Sequence, residues 1–429
     1  MLLQVTSTNP NLSWVLSKNP ATQADTEEPF AKPLRKGRVF GWFSSAQQFT
    51  VMFRDSPLEA SFSDSEFEYL DQTRYGHPLA MLGMIDEMLK SAAEGKSELD
   101  TPDNTQTLFV PSMLFLRASG VPAFCDHVQA MSAGQVSFAI TPLVESGVVG
   151  SLTLVTHGKL SLALGWLRLF CLFQLLSAAN ALPASQLERY AKVLAGLNAP
   201  YFLRYLFSRN ALTDRKQFKL FQPILETEDI KLCWGDTRQQ RFDALREHLG
   251  KSGAAQLVDI GCGEGWYATK LSSLYQEVLA FDLDEIEREK CMHLAKRRNI
   301  ENIQVLPGVS TDTELELLIQ DGADVLMTEV VEHMPPQDAT ELVSRVLHTG
   351  ASRVLVTTPN KRFNQNYLLA DDVFRHDDHD WEPTEAELVE WAVCLAADSG
   401  HDVTVSGIGD SVRGEHTSLL AIFTKKEQQ

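Results

Sequence analysis

The stretch that most restricts the fold is Leu257-Val258-Asp259-Ile260-Gly261-Cys262-Gly263-Glu264-Gly265-Trp266-Tyr267. A short apolar run reads as a buried strand, three alternating glycines follow, and a helical pattern begins at Trp266. Glycines at a strand's carboxyl end let the backbone take left-handed conformations and approach a ligand closely, which is where doubly wound sheets bind ligands. A dinucleotide fingerprint reads G-x-G-x-x-G, whereas here the third glycine comes one residue early. The next apolar run ends in Phe281-Asp282, where an acidic side chain can accept both hydroxyls of a nucleoside ribose. From Gln256 onward strand and helix patterns alternate to the chain's end, which predicts a doubly wound, mostly parallel sheet.

A second stretch adds different chemistry. The strand candidate Ala323–Met327 runs into Thr328-Glu329-Val330-Val331-Glu332-His333-Met334-Pro335-Pro336. On one helical turn Glu329, Glu332 and His333 stand at i, i+3 and i+4, so the spacing predicts one shared face. Two carboxylates and an imidazole there can hold a divalent cation, and the oxygen-rich mix suits Mn²⁺ or Mg²⁺ better than structural Zn²⁺. The plain alternative is an acidic first turn that complements the helix dipole.

A chain of 429 residues has room for two or three domains. The expected division is an α+β domain over residues 1–215 and the glycine-loop domain over 216–429. A net charge of −19 excludes a protein that coats nucleic acid by bulk electrostatics, though not one that grips a single RNA end through a local basic patch. The six cysteines are scattered without a Cys-x-x-Cys pair, which fits free thiols in a reducing cytoplasm. Met1 to Thr6 lacks the basic and apolar regions of a signal peptide. The apolar run Leu160 to Leu176 is interrupted by Arg168 and Gln174, so a buried core helix is expected and no membrane span.

Within residues 1–215 the patterns predict a strand from Leu2 to Thr8, a hairpin of Arg38–Phe43 with Gln48–Phe53, and a helix with a Leu79, Leu82, Ile85, Leu89 stripe. Further strands are expected at Leu108–Leu114, Val136–Leu143 and Gly150–Thr156, while residues 21–36 read as loop. Arg74 and His77 are expected to be structural, and the join is placed at Asp214 to Glu228 around Pro223.

The set Asp259, Gly261, Gly263, Gly265 and Asp282 resembles the cofactor loop of class I methyltransferases that use S-adenosylmethionine. Ser310, after the following strand, is a weaker candidate for the cofactor's far side. Three more motifs narrow the likeness: Glu329-Val330-Val331-Glu332-His333, Thr358-Pro359-Asn360-Lys361-Arg362-Phe363-Asn364, and Phe374-Arg375-His376-Asp377-Asp378-His379-Asp380-Trp381-Glu382. Over about residues 235–425 the chain resembles the RNA 3′-terminal ribose 2′-O-methyltransferases, the small-RNA methyltransferases. Ser65–Leu70 and Arg74 to Ala80 resemble the extra domain of their bacterial, RNA-repair branch.

The resemblance implies a Rossmann-like class I methyltransferase fold, the cofactor S-adenosylmethionine, and a divalent cation held by Glu329, Glu332, His333 and His379. His376 is the rival for the fourth place. It also implies an RNA substrate with a free 3′ end, an RNA end-healing kinase or ligase partner, and a ribose pocket shaped by Asn360 and Phe363. His333 or His379 is the candidate proton acceptor. Arg353, Lys361, Arg362 and Arg375 are candidates for phosphates, whereas the cationic run Arg288 to Arg298 reads as a solvated helix face. Trp381-Glu382-Pro383-Thr384-Glu385 departs from the family's usual Phe-Glu-Trp-Thr-Arg and puts an acid where a base is usual. The rival reading is a small-molecule O-methyltransferase of quinone-biosynthesis type, which carries a similar Glu-x-x-Glu-His without a catalytic metal.

Overall fold

A computed structural model describes residues 1–26, 28–34, 37–55, 76–178, 182, 184–250, 253–310, 314–367, 369 and 373–426. Ser65–Leu70, Arg74 and Tyr75 lie outside them. The chain divides into two units, Met1–Leu225 and Glu226–Gln429, each considered by itself.

In the first unit, β1 (Leu2–Ser7), β2 (Phe30–Leu34), β3 (Gly37–Ser45), β4 (Gln48–Asp55), β5 (Thr105–Leu114), β6 (Val136–Pro142) and β7 (Val149–His157) form one antiparallel sheet. Its order is β2-β3-β4-β1-β5-β7-β6. The expected β3–β4 hairpin is present. Residues 21–36 are not a plain loop, because the helix Pro20–Thr26 and the edge strand β2 occupy most of them. Every residue from Ala163 to Leu176 is buried in the helix Leu160–Ser177, and 83% of the whole helix is buried, the mark of a core helix. Its one cation, Arg168, pairs with Asp86, which also accepts from Arg189 at 2.8 Å and from the Tyr190 hydroxyl at 3.1 Å. His77 caps the helix Pro78–Met88 by accepting from the Leu79 amide at 3.2 Å, a structural role.

The expected boundary at 215 falls too early. The helix Arg215–Leu225 buries Phe218, Phe221 and Leu225 and packs on the helices Leu187–Gly196 and Tyr201–Asn210. The enclosed Arg204 guanidinium fastens its end, donating to the Leu225 carbonyl at 2.7 Å. The amphipathic face had read as a linker because Pro223 interrupts it.

The second unit holds β8 (Ile230–Lys231), β9 (Gln256–Ile260), β10 (Glu277–Asp282), β11 (Ile303–Pro307), β12 (Asp324–Thr328), β13 (Arg353–Pro359), β14 (His401–Val412) and β15 (Glu415–Lys425). Their order is β11-β10-β9-β12-β13-β15-β14-β8. The first five run parallel, and β15, β14 and β8 are antiparallel. Strands β9 and β12 are buried at every position, as expected for strands covered on both faces. Val258, Ile260, Val325 and Met327 join the core on one side of the sheet, and Leu257, Leu326, Leu355 and Leu420 join the core on the other. The winding reverses between β9 and β12, so a doubly wound sheet of Rossmann type has its ligand crevice at the carboxyl ends of these two strands. Both motifs that the sequence singles out leave the sheet there.

Candidate active site

All three loop glycines adopt left-handed conformations, with φ of 74°, 52° and 76° at Gly261, Gly263 and Gly265. At Gly261 a Cβ would lie 2.4 Å from Val330 Cγ2, and at Gly265 it would lie 2.2 Å from Cys291 Sγ. Glycine is therefore required twice over, and the first contact shows that the loop after β9 abuts the turn after β12. The amides of Gly261 and Cys262 donate to the Phe281 carbonyl, and the Gly263 amide donates to Asp282 Oδ2 at 2.7 Å. Asp282 Oδ1 accepts from the Asp284 amide at 2.9 Å. The expected ribose acceptor is thus held in place by the loop it serves, with further lone pairs to offer.

Asp259 is buried, and neither of its carboxylate oxygens has a hydrogen-bond partner. Burial pushes its carboxyl up to about 7; the nearby Ala268 amide pulls the other way without completing a hydrogen bond, and the Asp282 charge adds to the rise. Ser310 is exposed at the sheet's outer side, where its carbonyl accepts from Arg345 at 3.0 Å.

The turn after β12 is not the expected single helical face. Glu329 leaves the strand at φ 55°, a left-handed conformation that costs a non-glycine residue about 1–2 kcal/mol. A 3-10 turn then covers only Val331–His333. The kink separates Glu329 from its two companions. Its carboxylate accepts from Arg241 at 2.9 Å and from the Thr357 hydroxyl at 3.1 Å. Burial opposes the Arg241 charge, but Glu329, with Tyr267 and Glu332 behind it, outweighs that and holds the guanidinium more firmly protonated.

Glu332, by contrast, is fully enclosed and neither carboxylate oxygen has a hydrogen-bond partner. Its carboxyl is pushed well above the ordinary range, first by burial and then by the charge of Glu329. Glu332, His333 and His379 each bring one potential ligand atom within 4.8 Å of the other two. Glu329 and His376 stand outside that group. His376 is exposed, its ring centroid 5.1 Å from that of His379.

The loop carrying His379 is tied directly to the turn, since the amides of Asp380 and Trp381 both donate to the Glu332 carbonyl, at 2.8 and 3.2 Å. His379 is buried, and its Nδ1 lies 2.6 Å from the enclosed Glu382 carboxylate. His333 is 39% exposed at its side chain and reaches Asp378 at 3.2 Å. An enclosed carboxylate without a partner, set against two imidazoles whose contacts use one ring nitrogen each, is what a cation site offers.

Two of the four cations expected to grip phosphate do something else. Arg353 opens β13 at the opposite end of the sheet and pairs with Asp324 at 2.9 Å. Arg375 donates to the carbonyls of Asn360 and Thr417 and to Asn364 Oδ1. Lys361 and the exposed Arg362 remain on the rim after β13. Asn360 and Phe363 are completely enclosed, and the Asn360 amide donates to Glu415 and to the His416 carbonyl. They shape the loop from behind. Arg241 and Glu382 were missed in the sequence; a Glu three residues after a His is the only local signal for the second.

Two family models match the chain: the Hen1 N-terminal domain over residues 2–230 and a methyltransferase domain over residues 257–350. A small RNA 2′-O-methyltransferase of Arabidopsis thaliana is 27% identical over 213 residues, which cover 44% of this chain and 22% of that protein. A ubiquinone biosynthesis O-methyltransferase of Acinetobacter baylyi is 24% identical over 158 residues, 36% of this chain and 60% of that protein. The chain thus spans less than two thirds of either relative's length. A chain from a solved Pnkp1/Rnl/Hen1 RNA repair complex superposes with a TM-score of 0.77 at 25% identity, covering 99% of this chain and 100% of that one.

Proposed function

The chain belongs to the Hen1 N-terminal domain family, whose model matches residues 2–230, more than half of it. From that premise we propose that it transfers a methyl group from S-adenosylmethionine to the 2′-hydroxyl of the 3′-terminal ribose of RNA, with a divalent cation. The observation that carries the reading is the enclosed, unpartnered Glu332 carboxylate set against His333 and His379, beside the glycine loop. The donors fit a cation that accepts both oxygen and imidazole nitrogen, Mn²⁺ ahead of Mg²⁺. Glu332, His333 and His379 would hold it, and Glu329 would join as a fourth ligand on leaving Arg241. When bound, such a cation supplies a Lewis acid that brings ionisation of a sugar hydroxyl closer to neutral pH.

The chain's own residues do the rest. The bare backbone of Gly261 to Gly265 admits the cofactor, and Asp282, steadied by two amides, accepts its ribose hydroxyls. The contact between Gly261 and Val330 fixes the separation between donor and acceptor pockets, which is the alignment that in-line methyl transfer needs. Lys361 and Arg362 on the rim attract the phosphates of the terminal nucleotides. If the cation leaves His333 free, that imidazole, steadied by Asp378, would be the group to take up a proton. Similarity along the whole chain to a member of an RNA repair complex supports a role on repaired RNA ends with kinase and ligase partners.

The likeness to a ubiquinone biosynthesis enzyme supports the rival reading, a small-molecule O-methyltransferase without a metal. Incubation with tritiated S-adenosylmethionine and an RNA oligomer bearing a free 3′ end separates them. The expected result is labelled RNA, no label after chelation, and recovery best with Mn²⁺. Labelling that survives exhaustive chelation, or no RNA labelling in any metal, would overturn the proposal.

A further inference from the structure

Behind His379 lies a set of enclosed polar groups that no reacting atom would touch. Glu382 is 2% exposed. Its Oε1 sits 2.6 Å from His379 Nδ1 and accepts from the Arg375 amide at 2.7 Å, while Oε2 accepts from Asn364 Nδ2 at 2.5 Å. The Arg375 guanidinium in turn donates to Asn364 Oδ1 at 2.7 Å and to the carbonyls of Asn360 and Thr417. Each Glu382 oxygen is therefore aimed by a donor that is itself anchored to a different part of the chain.

We propose that Glu382 is the positioning residue of the metal site: it fixes His379 as the Nδ1–H tautomer and presents Nε2, unprotonated, to the cation. The inference rests on the cation site described above and adds a residue with no place among its ligands. An ionised carboxylate can only accept at this contact, so the imidazole must donate from Nδ1. That leaves Nε2 with a lone pair to offer to the group formed with Glu332 and His333, and the carboxylate fixes the orientation of the ring. Three features make the assignment a built one. Glu382 is enclosed, so it keeps no alternative partner in water. The Arg375 amide and the Asn364 side chain each donate to one of its oxygens, which holds the carboxylate in one orientation. The loop bearing His379 is also pinned to the Glu332 carbonyl by two amides, so a ring rotation is transmitted to the ligand group.

Glutamine at 382 keeps the shape but spoils the pattern. Its carbonyl can still accept from His379, but its amide nitrogen then faces the Asn364 amide, whose oxygen is already held by Arg375. The test uses the full-length chain and three readouts. ¹⁵N-correlated NMR of imidazole nitrogens in metal-free protein, assigned with His379→Gln, should show His379 protonated at Nδ1 and bare at Nε2. Mn²⁺ titration followed by electron paramagnetic resonance should give a dissociation constant raised about 10-fold in Glu382→Gln and about 100-fold in Glu382→Ala, the range for lost outer-shell partners. S-adenosylmethionine affinity should stay within about two-fold in both variants, which shows that they fold. An Nε2–H tautomer, or Mn²⁺ affinity unchanged in Glu382→Gln, would overturn the inference alone. Wild-type protein that binds no Mn²⁺ would overturn the site reading, and this inference with it.

Discussion

Glu332→Gln should make the metal-free protein more stable and the metal-loaded protein less so. The enclosed carboxylate has no hydrogen-bond partner for either oxygen, and its carboxyl is pushed well above 4.5 by burial and by Glu329. Folding therefore raises its proton affinity. The stability it contributes is fully present below the ordinary carboxylate range and is lost as pH rises through the elevated value. At pH 4 the variant and the wild type should unfold together. At pH 7.5 in chelator the variant should lead by about 1–3 kcal/mol, the penalty of one buried unsatisfied group. For a unit of this size that is about 2–4 °C of Tm per kcal/mol. Saturating Mn²⁺, at about 100 times its dissociation constant, should add about 2.7 kcal/mol to the wild type and nothing to the variant. The order of the two melting curves should thus invert when metal is added. Thermal unfolding followed by circular dichroism, in chelator and in Mn²⁺ at both pH values, reads all of this. A variant less stable than wild type in chelator at pH 7.5 would show that Glu332 has a partner in the folded protein and would remove the main argument for a cation there.

Asp282→Ala should weaken S-adenosylmethionine binding by about 1.5–3 kcal/mol, the range for hydrogen bonds to a charged group, measured by calorimetry. An unchanged dissociation constant would move the ribose acceptor elsewhere. Residues 226–429 alone should fold and bind the cofactor, because β8 pairs with β14 within them and every proposed ligand lies there; an unfolded fragment by circular dichroism would contradict the division after Leu225.

What could be read from the sequence was local. The glycine loop, its strand and Asp282 declare themselves because each glycine answers to a backbone conformation and Asp282 closes the next strand. The Rossmann-type alternation was legible for the same reason, as was the Leu160–Ser177 core helix. The face expected of Glu329, Glu332 and His333 was not, since helical spacing assumes a helix and the left-handed Glu329 breaks it at the first residue. His379 came in only through family resemblance, being far along the chain from Glu332. Arg375 was misassigned because its partners, the carbonyls of Asn360 and Thr417, come from separate segments that no local pattern connects. Arg241 lies on the helix Thr237–Leu249, before the glycine loop, and only the fold brings it to Glu329. The helix Val121–Met131 was not read from the sequence, although its Pro122 stands in the first turn, where a helix tolerates proline.

The most direct measurement of the central claim is methylation of four matched RNA oligomers ending in ribose, 3′-deoxyribose, 2′-deoxyribose and ribose 3′-phosphate, in Mn²⁺. A terminal ribose offers two adjacent hydroxyls, a pair that no internal nucleotide and none of the other three ends can present to the Glu332, His333 and His379 group. The account predicts one methyl per strand on the ribose end and none on the other three. Comparable methylation of the 3′-deoxy or 3′-phosphate oligomer would contradict it.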